Sequence, residues 1–172
     1  MKMLVTAASR HGSTDEIAGA LADALRRRGA DVDLLAPEDV HEITDYDTVV
    51  IGSAIYIGRW LPPAKEFIAR FREALLLRQV WLFSSGPVGN NGRPVKDPPD
   101  VSAQVEATGA RAHRTFAGKL DRTALGFGER MVVRAVGAPE GDFRDWESVN
   151  EWAEQIRLAH QSGFPQTSGK PS

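Results

Sequence analysis

The sequence predicts a doubly wound α/β fold, and three observations carry the prediction. Short apolar runs alternate with helical patterns along most of the chain, the order expected of a parallel sheet joined by crossover helices. The run Thr48 to Ile51 lies in an almost continuous apolar stretch, as in a strand covered on both faces. The 172 residues are enough for one core that buries about two-thirds of the unfolded surface. Right-handed crossovers between five parallel strands then place helices on both sides of the sheet.

Each element has its own warrant. Leu4 to Ala8 reads as the first strand, and Ile17, Leu21 and Leu25, spaced by four, mark the helix after it. Ser13 and Glu16 fit a capping box, Asp15 and Glu16 suit the first turn, Arg26 to Arg28 suit the last, and Gly29 ends the helix. Ala30 to Leu35 reads as strand two, Pro37 to Asp45 as a polar turn, and Thr48 to Ile51 as strand three. A helix is predicted after Pro62 and Pro63, with Phe67, Ile68, Phe71 and Leu75 on its apolar face. Strand four follows at Gln79 to Phe83. Gly86 to Asp100 is too rich in glycine and proline for regular structure and reads as a flap-like loop. Val101 to Gly109 is a predicted helix, Ala112 to Ala117 strand five, Leu125 to Gly137 a short helix, and Asp145 caps a last helix in which Trp146 and Trp152 read as core. Residues 1–161 form one domain on this reading, and residues 162–172 form a polar, disordered tail.

Composition removes several function classes. With 21 basic against 23 acidic residues the formal charge is −2, which provides neither a footprint for nucleic acid nor a strongly acidic docking face. Cysteine is absent, so disulfides, thiolate metal sites and cysteine nucleophiles are excluded together. The four histidines lack metal-ligand spacing, and no metal is expected. The longest nearly apolar run, Val49 to Gly58, is roughly half a bilayer span, so no integral membrane segment is expected, although peripheral contact with a membrane stays open. The start Met1 to Val5 has no signal-peptide pattern, and a cytoplasmic location is the default expectation.

In a doubly wound sheet ligands bind at the carboxyl ends of the strands, so the loops at 9–14, 53–60 and 84–92 should converge. Ser9, Arg10, His11, Gly12, Ser13 and Thr14 combine a tight glycine turn with three hydroxyls just before a helix amino terminus, a pattern suited to a phosphomonoester. The bland alternative is an ordinary capped turn. Neither Gly-x-Gly-x-x-Gly nor Gly-x-x-x-x-Gly-Lys occurs, which removes the usual handles for dinucleotides and for P-loop nucleotides. Ser53, Ala54, Ile55 and Tyr56 end a buried strand with an aromatic on which a planar ring could stack, with Trp60 as its competitor. Ser84, Ser85 and Gly86 offer hydroxyl and backbone groups free of bulk. Arg10 either pairs with the phosphate or is simply solvated.

Together these loops resemble a known family. Ser9 to Thr14 followed by Ile17-Ala18 is similar to the phosphate signature of flavodoxins. Val49 to Ile55 with Gly58, Phe116 to Leu120, and Asp145-Trp146-Glu147 are similar to the flavodoxin-type, menaquinone-dependent protoporphyrinogen oxidases. The resemblance implies strand order 2-1-3-4-5 and a noncovalent FMN. Its phosphate would lie on residues 9–14, its ring between the second and third loops, with Tyr56 in the family's stacking position. The third loop here has no aromatic, which would leave one flavin face open. Two functions follow as expectations. One is an FMN-dependent oxidoreductase acting on a small organic or quinone-like substrate, the protoporphyrinogen oxidase type included. The other is an electron carrier that docks on a redox partner protein. Composition favours the enzyme, since Arg59, Arg93 and Lys96 in the flavin-side loops oppose an acidic docking face. Oligomeric state is not legible.

Overall fold

A computed structural model describes residues 2–86, 99–137 and 140–162. In chain order the elements are β1 (Lys2–Ala8), α1 (Ser13–Arg27), β2 (Asp31–Leu35), β3 (Thr48–Tyr56), β4 (Arg59–Trp60), α2 (Pro62–Leu76) and β5 (Gln79–Gly86). They continue with α3 (Pro99–Thr108), β6 (Ala112–Ala117), β7 (Lys119–Leu120), α4 (Phe127–Val136), β8 (Gly141–Asp142) and α5 (Trp146–Gln161). The central sheet runs β2-β1-β3-β5-β6 with every neighbouring pair parallel, which is the predicted five-strand order. Two features lie outside that prediction: β4 folds back antiparallel on β3, and β7 pairs with β8 as a separate ribbon.

Alternation along each strand divides the core between the two faces of the sheet. In β1, Met3, Val5 and Ala7 join the α1 and α5 side with Ile17, Leu21, Leu25, Trp152 and Ile156. Leu4 and Ala8 join the opposite side with Trp60, Phe67, Ile68, Leu82 and Val101. On the first side Phe83, Phe116 and Trp152 meet edge to face with ring centroids 5.6 to 6.1 Å apart, a geometry that aligns positive ring edges with negative faces. Trp152 is therefore core as expected, whereas Trp146 is 40% exposed and lies under the Arg144 guanidinium.

Several local predictions need correction. Strand three continues to Tyr56, because the chain turns there in a two-residue hairpin loop, Ile57-Gly58, and pairs Ile55 with Trp60. Helix α1 has Gly12 as its N-cap, at φ +84°, so the capping box from Ser13 does not form. Ser13 instead accepts a hydrogen bond from the Lys119 N–H at 3.1 Å. The cap on α5 is as expected, with the Asp145 carboxylate accepting from Ser148 N–H at 3.1 Å. Helix α3 starts at Pro99, two residues before the prediction, and Asp100 beside it accepts from Trp60 N–H and Lys65 Nζ, both at 3.2 Å. Most of the flap-like loop, residues 87–98, and most of the predicted tail, from residue 163, lie outside the described residues.

Candidate functional site

The first loop leaves β1 at Ala8 and turns within four residues. Ser9 Oγ accepts the Gly12 N–H at 3.0 Å, which holds the turn closed from inside. The left-handed φ of Gly12 is one that a side chain would strain. The first backbone bond of α1 runs from Glu16 N–H to Gly12 O at 3.0 Å, so the N–H groups of Ser13, Thr14 and Asp15 precede it and have no acceptor within the helix. They stand at the positive end of the helix dipole. Thr14 is 1% exposed, while Arg10 and His11 are the loop's exposed members.

The second loop is built on β3 and its hairpin. Ser53 is fully buried; its hydroxyl donates to Ala54 O and accepts from Leu61 N–H, each at 2.9 Å, so it braces the turn. Ala54, Ile55 and Tyr56 are half-buried at the end of the strand. Ile57 adopts φ +49°, a β-branched residue in the left-handed region, and the hairpin holds that strain next to Tyr56. The Arg10 guanidinium lies 4.1 Å from the centre of the Tyr56 ring, so the first and second loops meet directly. Trp60 is 1% exposed and its Nε1–H donates to Ser84 Oγ at 2.8 Å, so the indole lies in the core beneath this loop.

The third loop begins where β5 ends. Ser84 is buried between Trp60 and His113, whose Nε2 lies 2.8 Å from its hydroxyl. Ser85 is buried, and Gly86 is half-buried. A Cβ on Gly86 would come within 2.9 Å of Ile55, so its glycine lets the second and third loops touch. All three loops therefore reach one end of the sheet. Within the proposed set, the hydroxyls of Ser53 and Ser84 serve internal bonds.

Two contributions escaped the sequence reading. The ribbon after β6 closes over the first loop, leaving a pocket of about 100 Å³ bordered by His11, Ser13, Glu16, Lys119, Asp121 and Leu125. Glu129 of α4 reaches the same loop: its Oε1 pairs with Arg10 Nε and lies 3.3 Å from His11 Nε2. Its Oε2 accepts the Gly126 N–H at 3.0 Å. That N–H holds the carboxyl below the usual glutamate range, and Arg10 and His11 add to the effect. The acid at the third position of a helix was a visible signal for a cap. Nothing local in the sequence announces a partner more than a hundred residues earlier. Among the described residues, no group of three or more His, Asp or Glu could hold a metal ion, and no helix is long and apolar enough to cross a membrane.

Comparison with known proteins bears on this arrangement. The chain is 26% identical to the protoporphyrinogen IX dehydrogenase [quinone] of Escherichia coli K12, over 185 aligned positions covering 96% of this chain and 98% of that protein. The fold is similar to rubredoxin oxygen:oxidoreductase from Desulfovibrio gigas, with a TM-score of 0.65 and 18% identity over 94% of this chain, which spans only 36% of that protein. It is also similar to a flavodoxin from the domain Archaea, with a TM-score of 0.63 and 14% identity over 94% of this chain and 99% of the other. Residues 4–146 match the model of the flavodoxin domain, and the chain, with its β2-β1-β3-β5-β6 sheet, belongs to that family.

Proposed function

We propose that this protein binds FMN across the three loops and is an oxidoreductase passing electrons between that flavin and a small organic or quinone-like substrate. The observation that carries the reading is the 4.1 Å contact between Arg10 and the Tyr56 ring, which puts an anion loop and an aromatic within one ring's width of each other. The residues fit the cofactor. The N–H groups of Ser13, Thr14 and Asp15, with Arg10 and His11 beside them, suit a terminal phosphate, and Tyr56 suits the ring once Arg10 leaves its face. Ser9 and Gly12 shape the loop, Ser53 and Ser84 brace its neighbours, and Ala54, Ile55, Ser85 and Gly86 form the edge against which the ring would lie. FMN when bound supplies reversible electron-accepting chemistry; the chain's part is to hold the ring, choose its open face and place dipoles around it. The match to a quinone-linked dehydrogenase along both full lengths supports enzyme over carrier, as does the near-neutral charge.

Two measurements test the cofactor assignment. Ser9→Ala with Thr14→Ala will raise the FMN dissociation constant about tenfold or more, because each hydrogen bond to a charged phosphate is worth about 1.5 to 3 kcal/mol. An unchanged titration would remove the phosphate from this loop. Tyr56→Ala will brighten the bound flavin, which stacking quenches, and weaken its binding by about 1 kcal/mol. Flavin fluorescence that stays quenched in that variant would put the ring elsewhere. Turnover of a soluble quinone by the FMN-loaded protein, with an artificial electron donor, separates the enzyme from the carrier: bound flavin without turnover favours the carrier.

A further inference from the structure

The most unexpected neighbour of the first loop is a carboxylate. Glu129 comes from α4, far along the chain, and its oxygens meet Arg10, His11 and the Gly126 N–H together. Its side chain is 12% exposed against 44% for Arg10 and 35% for His11, so the acid is the inner partner and the basic groups close over it. The Arg10 guanidinium that it holds is also the one lying on the Tyr56 ring. One acidic side chain thus engages the two basic groups that an incoming phosphate would use, and through Arg10 it keeps the aromatic face covered.

We propose that Glu129 is an internal stand-in for the cofactor phosphate, occupying Arg10 and His11 until FMN displaces it. The inference rests on the FMN reading above and deepens it. A phosphomonoester brings about two negative charges at neutral pH, and beside the Glu129 carboxylate on one guanidinium these charges repel it. Binding therefore exchanges one ion pair for another: the guanidinium leaves Glu129 and Tyr56 for the phosphate, and α4 loses its tie to the first loop. FMN pays for this exchange in affinity, whereas a flavin without phosphate needs only the Tyr56 face that Arg10 covers and meets no charge repulsion from Glu129.

The test compares FMN with riboflavin, which has the same ring and no phosphate. Glu129→Gln keeps the shape of the side chain, and its amide oxygen can still accept from Gly126 N–H, so the cap on α4 is retained. FMN should bind the variant about tenfold more tightly than the parent, through relief of like-charge repulsion, while riboflavin, which gains only the freed Tyr56 face, tightens distinctly less. Glu129→Asp, which keeps the charge but draws it back by one methylene, should fall between the two and serves if the amide variant folds poorly. FMN affinity that is unchanged or weaker overturns the proposal, because the carboxylate would then be organising Arg10 for the phosphate. Equal tightening of FMN and riboflavin overturns it as well, since the release would then concern the ring. If the parent protein shows no preference for FMN over riboflavin, the cofactor assignment itself fails. A parent that prefers FMN, with a variant that does not shift, removes only the role of Glu129.

Discussion

Trp60→Ala will cost about 3 to 5 kcal/mol of folding stability, read as a lower urea midpoint with an unchanged slope. The indole is 1% exposed and sits in the core on the α2 and α3 side of the sheet with Phe67, Ile68, Leu82 and Val101. Truncation leaves a cavity there and removes the donor from Ser84 Oγ, a hydroxyl that is itself buried. Trp60→Phe should recover much of the loss by filling the space, leaving the missing Nε1–H bond, about 1 kcal/mol. The experiment also decides between the two aromatics of the second loop. If Trp60→Ala folded at nearly parental stability and brightened the bound flavin, the indole rather than Tyr56 would be the stacking ring. The buried hydrogen bond to Ser84 argues for the opposite result.

How much of this could be read from the chain depends on how local each feature is. The first strand, turn and helix were legible because hydrophobic spacing and Gly12 all lie within a short window. The cap departs from its pattern: Ser13 and Glu16 match a capping box, but the left-handed Gly12 takes the cap position and frees the serine to hold β7. The end of β3 is not legible beyond Ile51, because Gly52-Ser53 reads as the start of a loop, whereas their pairing with β1 and β5 and the pairing of Ile55 with Trp60 carry the strand to Tyr56. Ser53 and Ser84 could be placed at the right end of the sheet, but whether a hydroxyl faces a ligand or a neighbouring loop is a tertiary matter. Glu129 shows the limit most plainly, since its meeting with Arg10 depends on how the β7–β8 ribbon and α4 fold back over the sheet's edge.

Gly52→Ala will destabilise the protein by about 1 to 3 kcal/mol or more, through crowding alone. Gly52 has no left-handed φ; its constraint is the ring of Phe83, its register partner on β5. A Cβ there would stand 2.1 Å from Phe83 Cζ, with the two Cε atoms at 2.3 and 2.6 Å. The ring has little room to yield, because Phe116 and Trp152 hold it edge to face at 6.0 and 6.1 Å. Either the aromatic cluster opens or β3 shifts away from β5. A shift of β3 is carried into Ser53 to Tyr56, which follow directly, so flavin affinity should fall along with stability. Phe83→Leu supplies the check. Alone it leaves a cavity and destabilises, but combined with Gly52→Ala it makes room for the new methyl, so the pair should cost less than the sum of the single changes by about 0.5 to 3 kcal/mol. Strict additivity in urea unfolding would mean that the two residues do not share the space between β3 and β5, and would detach the position of the second loop from the aromatic core beneath it.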